Sequence, residues 1–550
     1  MTKMQTKCLT GHVESSRAAL VKGAAATAFH QATEAAISLL QQGGNAIDAA
    51  VAAAWTLAVC EPSASGLGGQ TTLLINGADG QARIIDGHSY APADVSMASV
   101  SDREQRSGYR AGVIPSTPAT LAYAQRRYGL LPVATSLAPA IQVAQDGYTI
   151  TPLQNRQAGW FERQRQVSES IAKLFLVDGT APPIGYVLRQ PELARTLQRM
   201  ADAGVEDFYS GQIARAIVVD MRRHGGLLNE DDLANFSLPV EREPLEIRYR
   251  GMRVLSAPAP GGGLNLLFAL KVMERLLPNR IDNCDGESWY EAIALASYCT
   301  FRERELRDAQ RVGQDGACPD EYLSEENVDQ ATLRLMRERL LPPVTCSEGP
   351  GDTTHLTVAD AAGNVVALTQ SIQSVFGAKV ANPELGFVYN NYLCTCPRYA
   401  HPNQLQPGCI PQSNAAPTIV MRETKSGAAT VMALGAAGSR RITSSLLQVI
   451  SQVVDRGLPI DEAVAAPRLH GLLSGKVWIE EPIASPKFAA RLQQRFKEVI
   501  VKKPLSFGMG CVQGLQWGND GRIMGAADPR RDGTEKSWEG TSQWRQHTQL

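Results

Sequence analysis

The stretch that decides the fold reads Gly351-Asp352-Thr353-Thr354-His355-Leu356-Thr357-Val358-Ala359-Asp360. It follows a loop, residues 342–350, that is rich in proline, glycine and small polar residues. The run Leu356–Ala359 predicts a short strand, and the turn at Gly363-Asn364 and the apolar run Val365–Thr369 predict its hairpin partner. Thr353 therefore lies where a loop becomes the beginning of a buried strand.

A threonine in this place has two interpretations. It can be a β-branched residue that begins a strand, and from the residues alone this interpretation is favoured. It can also be an N-terminal nucleophile, whose hydroxyl attacks the carbonyl carbon of Asp352, takes the acyl group from nitrogen to oxygen and releases a new chain that begins at Thr353. The freed α-amine, with a reference pKa of about 7.7–8.0, would then act as the base for the neighbouring hydroxyl.

Composition limits the classes of function. The chain has 550 residues, of which 44% are hydrophobic and 20% charged, so it is long enough for a large core. The formal net charge is −1 and there is no basic run, which argues against a nucleic-acid partner. The longest mostly apolar stretch, Ala49–Cys60, is shorter than the roughly 18 residues of a membrane span, so we expect no membrane partner.

The N-terminus and the cysteines suggest a compartment. Residues 1–30 contain no signal-peptide hydrophobic region, so we expect a cytoplasmic protein with reduced thiols. The ten cysteines form no C-x-x-C pair, and Cys394-Thr395-Cys396 is too tight for a usual zinc site or a structural disulfide. We expect no metal and no organic cofactor, because a threonine with its own amine supplies both nucleophile and base.

The spacing of the hydrophobic residues and the positions of the turn-forming residues predict a mixed α/β chain. Asn45 is the expected N-cap of the second helix. We predict a strand over 71–75 and helices over 32–40, 46–60, 264–277, 289–307 and 442–456.

The motif residues resemble one family. Thr353-Thr354-His355, Asp360, Gly363-Asn364, Phe376-Gly377 and Asn390-Asn391 resemble the start of the small subunit of γ-glutamyltranspeptidases, which are N-terminal-nucleophile hydrolases. Weaker matches extend from Gly44 to Arg530. The resemblance implies an α+β fold, a four-layer αββα sandwich. It also implies self-cleavage into a large subunit, 1–352, and a small catalytic subunit, 353–550, that remain together as a heterodimer.

The resemblance also implies the catalytic residues. Thr353 corresponds to the nucleophile, and Ser371 stands where the family has a second threonine bonded to it. Gly438 and Ser439 correspond to a Gly-Gly pair whose N–H groups form the oxyanion hole. Without the resemblance we would favour a small-residue entry into a helix at Gly438-Ser439. His355 is expected to be a structural hydrogen-bonding group, because the α-amine already provides the base.

The recognition positions depart from the family pattern. The family binds the donor α-carboxylate with an arginine in an Asp-x-Arg run, and here that position is His88. It binds the α-amine with a glutamine and an aspartate, and here these are Tyr392 and Thr395. Of the paired serines, Ser413 remains and Asn414 replaces the second.

Two further differences concern the amide and the lid. Gln373 stands where the family usually has asparagine. The segment Thr395–Ser413 is short, which indicates that the lid loop of some members is absent and that larger substrates could enter. A buried ammonium without a carboxylate partner would cost several kcal/mol, so a standard γ-glutamyl donor is disfavoured.

Three functions follow. The favoured one is an autoprocessed amidohydrolase or acyltransferase of small amides or peptides with altered acyl specificity, as in relatives that act as cephalosporin or glutaryl acylases or as oxamate amidohydrolases. The second is a true glutathione hydrolase that holds its donor with other residues. The third is an unprocessed pseudoenzyme with a binding or scaffold role, which the presence of Thr353, Ser371 and Gly438 disfavours.

Overall fold

The computed structural model of the chain describes residues 22–164, 168–237, 239–278, 286–310, 318–337, 351–425 and 427–539. The predicted loop over 342–350 lies outside these residues. The helices are α1 (His30–Gln41), α2 (Ala46–Cys60), α3 (Thr117–Tyr128), α4 (Val133–Asp146), α5 (Pro152–Gln164), α6 (Glu169–Phe175), α7 (Pro191–Ala203), α8 (Asp207–Ser210), α9 (Gln212–Arg223), α10 (Glu230–Ala234), α11 (Gly263–Leu276), α12 (Gly286–Gln310), α13 (Pro319–Tyr322), α14 (Glu325–Arg337), α15 (Arg441–Arg456), α16 (Ile460–Ala465) and α17 (Pro486–Gln493).

The strands alternate with these helices along the chain. They are β1 (Gly23–Thr27), β2 (Gln70–Asn76), β3 (Ala82–Gly87), β4 (Tyr148–Thr149), β5 (Val187–Leu188), β6 (Val240–Arg242), β7 (Leu245–Tyr249), β8 (Met252–Ser256), β9 (Thr354–Asp360), β10 (Val365–Ser371), β11 (Ala381–Asn382), β12 (Phe387–Val388), β13 (Thr418–Thr424), β14 (Gly427–Ala437), β15 (Leu469–Gly471), β16 (Lys476–Glu480), β17 (Glu498–Lys502), β18 (Cys511–Trp517), β19 (Ile523–Ala527) and β20 (Thr534–Trp538).

Two large antiparallel sheets dominate the described residues. A seven-stranded sheet has the order β20-β1-β9-β10-β2-β3-β6, and a six-stranded sheet has the order β19-β18-β14-β13-β8-β7. The predicted hairpin is confirmed as β9 and β10, which pair antiparallel with Ala359 opposite Val365. Strands β2 and β1 flank this hairpin on its two sides.

The strands are buried on both faces of the sheet. Successive side chains point to opposite faces, so alternate residues pack against different layers. In β9, Leu356 and Val358 belong to a cluster shared with the buried residues of α1 and α2. The next residue, Ala359, points to the opposite face and belongs to a second cluster, which contains Ile419 and Leu515 of the other sheet. The opposite face of that other sheet packs in a third cluster with α11, α12 and α15. This double burial explains why the strands read as continuous apolar runs.

Helix α2 shows how the sequence fixes the fold locally. Asn45 is its N-cap, as predicted, and forms a capping box with Asp48. Asp360, at the end of β9, accepts hydrogen bonds from the backbone N–H of Ala46 at 2.8 Å and from that of Asn364 at 3.0 Å. One carboxylate thus closes the hairpin turn and fixes the beginning of α2 beside it.

The other predicted elements are present with small shifts at their ends. The helices predicted over 32–40, 264–277, 289–307 and 442–456 correspond to α1, α11, α12 and α15, and the strand over 71–75 corresponds to β2. The largest differences are at α12, which begins at Gly286 and ends at Gln310. None of the described helices is both long enough and apolar enough to cross a membrane.

Candidate active site

The ends of four neighbouring strands bring the predicted catalytic residues together. Thr353 immediately precedes β9, and Ser371 ends β10 opposite Gln70, the first residue of β2. His88 follows the last residue of β3. All four residues therefore lie at the same end of these four neighbouring strands, because in an antiparallel sheet one strand begins where its neighbour ends.

Thr353 is buried against the peptide bond that precedes it. Its hydroxyl donates a hydrogen bond of 2.7 Å to the carbonyl oxygen of Asp352 and lies 3.2 Å from Ser371 Oγ. The Ser371 hydroxyl donates to the same carbonyl oxygen at 2.9 Å. The backbone N–H of Gln373 donates to Ser371 Oγ at 2.9 Å and so orients that hydroxyl. The hydroxyl groups of Thr353 and Ser371 thus meet at one carbonyl oxygen.

The backbone around this carbonyl is held on both sides. The N–H of Asp352 donates to the carbonyl oxygen of Gln373 at 2.8 Å, and Gly351 forms a β-bridge with Ser374. Gln373 has a φ of 83°, in the left-handed region that non-glycine residues rarely adopt. Strain of this kind is typical of sites whose geometry is set by function.

A buried cluster of charged residues surrounds the Asp352–Thr353 peptide, and sequence reasoning missed it. Arg531 Nη2 is 2.5 Å from Asp352 Oδ1, and Arg531 Nη1 is 3.3 Å from Glu61 Oε1. Arg531 Nη1 also donates to the carbonyl oxygen of Thr353 at 2.9 Å. Burial raises the pKa of Glu61 to about 8, against the pull of Arg531, and burial also raises the pKa of Asp352. Two carboxyl groups share one guanidinium, so they disfavour each other's ionisation.

Gly438 and Ser439 connect β14 to α15 beside this peptide. Gly438 has a φ of 131° and Ser439 a φ of 58°. Ser439 packs so closely on Gly351 that a Cβ on Gly351 would lie 2.6 Å from Ser439 Cβ. Within the described part of the chain neither of the two N–H groups donates a hydrogen bond to another backbone group. They remain available to stabilise an oxyanion near the beginning of α15.

His355 has the structural role predicted for it. It is buried, with Nδ1 2.8 Å from Thr369 Oγ1 and Nε2 3.2 Å from Thr357 Oγ1. Burial lowers the pKa of His355 to about 3, so the ring is neutral near pH 7. A Cβ on Gly435 would lie 2.2 Å from the ring, so this glycine provides the space for the imidazole.

A cavity of about 440 Å³ lies next to this peptide and is lined by Gly351, two residues before Thr353. Three of the six predicted recognition residues line it, namely Gln373, Thr395 and Asn414, together with Ser439. The short segment Thr395–Ser413 forms one wall, through side chains such as Tyr399 and Gln412. This segment therefore borders the cavity, and the absence of a lid loop stays a prediction.

The other three predicted recognition residues, His88, Tyr392 and Ser413, do not line this cavity. Tyr392 is buried, which raises the pKa of its hydroxyl to about 12, while hydrogen bonding with Ser371, Gln70 and Ser413 opposes the rise. The Tyr392 side chain thus lies beside Ser371. Thr395 uses its hydroxyl locally, donating to the carbonyl oxygen of Tyr392 at 2.9 Å.

His88 faces a carboxylate instead of a cavity. Its Nδ1 lies 2.5 Å from Asp86 Oδ1, and Arg242 Nη1 lies 2.9 Å from Asp86 Oδ2. Although burial opposes it, His88 and Arg242 hold the pKa of Asp86 well below its usual range.

Among the described residues no group of three or more His, Cys, Asp or Glu side chains is placed to hold a metal ion.

Comparison with known proteins assigns the family. The sequence profile described as Gamma-glutamyltranspeptidase matches residues 32–538. The glutathione hydrolase proenzyme of Escherichia coli (strain K12) is 29% identical over 537 residues, which cover 92% of this chain and 90% of that protein. The acylase ACY 1 proenzyme of Pseudomonas sp. (strain V22) is 30% identical over 532 residues, 93% of each.

A solved structure agrees over the whole fold. The crystal structure of cephalosporin acylase from Bacillus halodurans superimposes with a TM-score of 0.84 at 28% identity, covering 98% of this chain and 100% of that chain. The chain belongs to the γ-glutamyltranspeptidase family. The relatives therefore include both hydrolases of glutathione and acylases.

Proposed function

We propose that this chain is an autoprocessed N-terminal-threonine amidohydrolase or acyltransferase with a non-standard acyl specificity. The observation that carries the proposal is the contact between the Thr353 hydroxyl and the Asp352 carbonyl group, with Ser371 donating to the same oxygen. The word "proenzyme" in the names of the relatives supports processing.

Processing is an intramolecular acyl transfer. Thr353 Oγ attacks the carbonyl carbon of Asp352, and Ser371 and its hydrogen bond stabilise the developing negative charge on the oxygen. The C–N bond breaks, the amide nitrogen takes up the proton lost by the hydroxyl, and an ester remains. Water then hydrolyses the ester, which yields chains 1–352 and 353–550. The two chains stay together because β9 and β10 remain paired with β1 and β2.

Turnover repeats the same chemistry on a substrate amide. The new α-amine of Thr353 removes the proton of its own hydroxyl, which attacks the substrate carbonyl carbon. The N–H groups of Gly438 and Ser439 stabilise the oxyanion, and the protonated α-amine gives its proton to the leaving nitrogen as the C–N bond breaks. Water or an acceptor amine then attacks the ester carbonyl carbon, and the threonine oxygen leaves with a proton from that attacking group.

The packing supports the layered form of the fold. Apolar residues of both large sheets share one cluster, and helices cover the outer face of each sheet. We propose that these are the four layers, α, β, β and α, of an N-terminal-nucleophile hydrolase.

The specificity follows from the substituted recognition residues. Tyr392 and Thr395 cannot neutralise an ammonium, and Tyr392 occupies space beside Ser371. We therefore propose an acyl donor without an α-amine. A glutathione hydrolase remains the second candidate, because the relative from Escherichia coli carries that name.

The test combines a gel with mass spectrometry. Purified protein should contain chains 1–352 and 353–550, and incubation with a panel of amides should add the mass of one acyl group to the smaller chain. Acylation should disappear in Thr353→Ala. Trapping the γ-glutamyl group in preference to all others would favour the second candidate.

A further inference from the structure

Arg304 is a buried cation at the wall of the cavity beside Thr353. It belongs to α12, is only 8% exposed and lines the cavity together with Gln373 and Asn414. Its Nη1 donates to Asn414 Oδ1 at 3.0 Å. Asn414 is neutral, so this bond orients the guanidinium without balancing its charge.

The neighbouring carboxylate is already engaged with other groups. Arg307 donates to Asp308 Oδ1 at 3.0 and 2.8 Å, and Gln412 donates to Asp308 Oδ2 at 3.0 Å. Arg304 Nε lies 3.8 Å from Asp308 Oδ2, beyond hydrogen-bond distance. Within the described part of the chain Arg304 thus has no hydrogen-bonded counter-ion, although a buried charge normally has one.

Arg304 keeps its charge in this environment. Burial lowers the pKa of Arg304 to about 10, while Asp308 opposes the fall, so the side chain is protonated at neutral pH. Among the described residues, Arg106, Lys379 and Arg440 also line this cavity, and Glu305 is the one carboxylate that does so. Glu305 Oε1 lies 3.5 Å from Arg440 Nη2. The cavity therefore favours an anionic group.

We propose that Arg304 binds a carboxylate on the acyl half of the substrate and selects acyl groups that end in a carboxylate. The inference rests on the proposed amidohydrolase function and identifies the substrate class for it. The acyl half is assigned because the cavity that Arg304 lines is also lined by Gly351, which lies on the acyl side of the Asp352–Thr353 bond, and by Gln373, whose carbonyl oxygen accepts from the Asp352 N–H. A guanidinium fork matches a carboxylate with two parallel charge-assisted hydrogen bonds.

Three substrates locate the carboxylate. Glutaryl p-nitroanilide carries it on the acyl half, butyryl p-nitroanilide carries none, and N-butyryl-p-aminobenzoate carries it on the leaving amine. We expect kcat/KM for the glutaryl compound to exceed that for the butyryl anilide by about 10- to 100-fold. Free glutarate should inhibit competitively, and its binding can be measured by calorimetry independently of turnover.

Variants assign the effect to one side chain. In Arg304→Met the ratio of kcat/KM for the glutaryl anilide to that for the butyryl anilide should fall to nearly 1, and glutarate binding should be lost. Arg304→Lys keeps the charge without the fork and should retain an intermediate preference; it also replaces the methionine variant if that protein does not fold. Arg307→Met is the matched control, because it removes a cation from the same aspartate outside this cavity.

The possible results distinguish a failure of the Arg304 site from a failure of the proposed amidohydrolase function. An unchanged glutaryl preference in both Arg304 variants would overturn the proposal, as would an equal loss in Arg307→Met. A preference for N-butyryl-p-aminobenzoate that Arg304→Met abolishes would overturn the assignment to the acyl half. If no compound acylates Thr353, the proposed function fails, and glutarate binding that depends on Arg304 would still support the anion site.

Discussion

The hydroxyl of Thr353 donates a 2.7 Å hydrogen bond to the carbonyl oxygen of Asp352, the residue immediately before it in the chain. The attacking oxygen is therefore within hydrogen-bond distance of the carbonyl group whose carbon it would attack. A strand-opening threonine does not require this contact, because its hydroxyl could equally face solvent or the next turn. Since Ser371 donates to the same oxygen, the arrangement resembles the first stage of an acyl shift.

Self-cleavage is the first prediction. Purified wild-type protein should migrate as two chains, and Thr353→Ala should migrate as one chain without amidase activity, because the attacking oxygen is gone. Thr353→Ser keeps a hydroxyl and should still cleave. The measurement is a denaturing gel with N-terminal sequencing of the smaller chain. Intact wild-type protein with full activity would contradict the mechanism.

The second prediction concerns Ser371. Removing its hydroxyl in Ser371→Ala should slow processing by about 100-fold, because the oxygen of the scissile carbonyl loses a donor. Ser371→Thr retains the hydroxyl and should process at nearly the wild-type rate. Conversion of precursor can be followed on a gel over time. Thr369→Val is the control from the same strand, because its hydroxyl contacts His355 instead; equal slowing there would indicate a general effect on folding.

The third prediction separates the two residues of the candidate oxyanion hole. Gly438→Ala should abolish turnover and lower stability, because a Cβ there would lie 2.9 Å from Gly510 Cα and the φ is 131°. Ser439→Gly should be tolerated, since glycine adopts the positive φ without the cost of a side chain. Urea unfolding and kcat distinguish them. Full activity and unchanged stability in Gly438→Ala would contradict this prediction, because they would show that the turn accommodates a Cβ without displacing its N–H groups.

Sequence reasoning reached the parts of the molecule that short-range patterns encode. Strand β9, its turn and helix α2 could be predicted because Gly363-Asn364 and Asn45 act on their immediate neighbours. Arg531 and Arg304 could not, because an arginine so far along the chain from Thr353 carries no local sign of where its guanidinium will lie. The positive φ of Ser439 could not be predicted either, because a serine in a sequence does not indicate a left-handed backbone as a glycine does.

The fourth prediction tests the departure from γ-glutamyl recognition. The p-nitroanilide of γ-glutamate should be a poorer substrate than that of glutarate by about 100-fold in kcat/KM, because its ammonium finds no carboxylate at Tyr392 or Thr395. The double variant Tyr392→Gln, Thr395→Asp restores the family residues and should narrow this difference. A clear γ-glutamyl preference in the wild type would show that other groups supply the charges.

The last prediction concerns the pH dependence of stability through His355. Its pKa in the folded chain is lowered to about 3 by burial, below the ordinary 6.5 of the unfolded chain. Protons therefore bind the unfolded state more readily between these values, and the contribution of His355 to stability is present above pH 6.5 and lost as the pH falls toward 3. In the uncleaved Thr353→Ala background, which unfolds as one chain, the free energy of unfolding should be compared with and without His355→Gln. Between pH 7 and 5.5 the difference between the two proteins should shift by about 1.3 kcal/mol against histidine. Urea titration at the two pH values measures it, and a difference that stays constant would mean that the ring takes up a proton in the folded state.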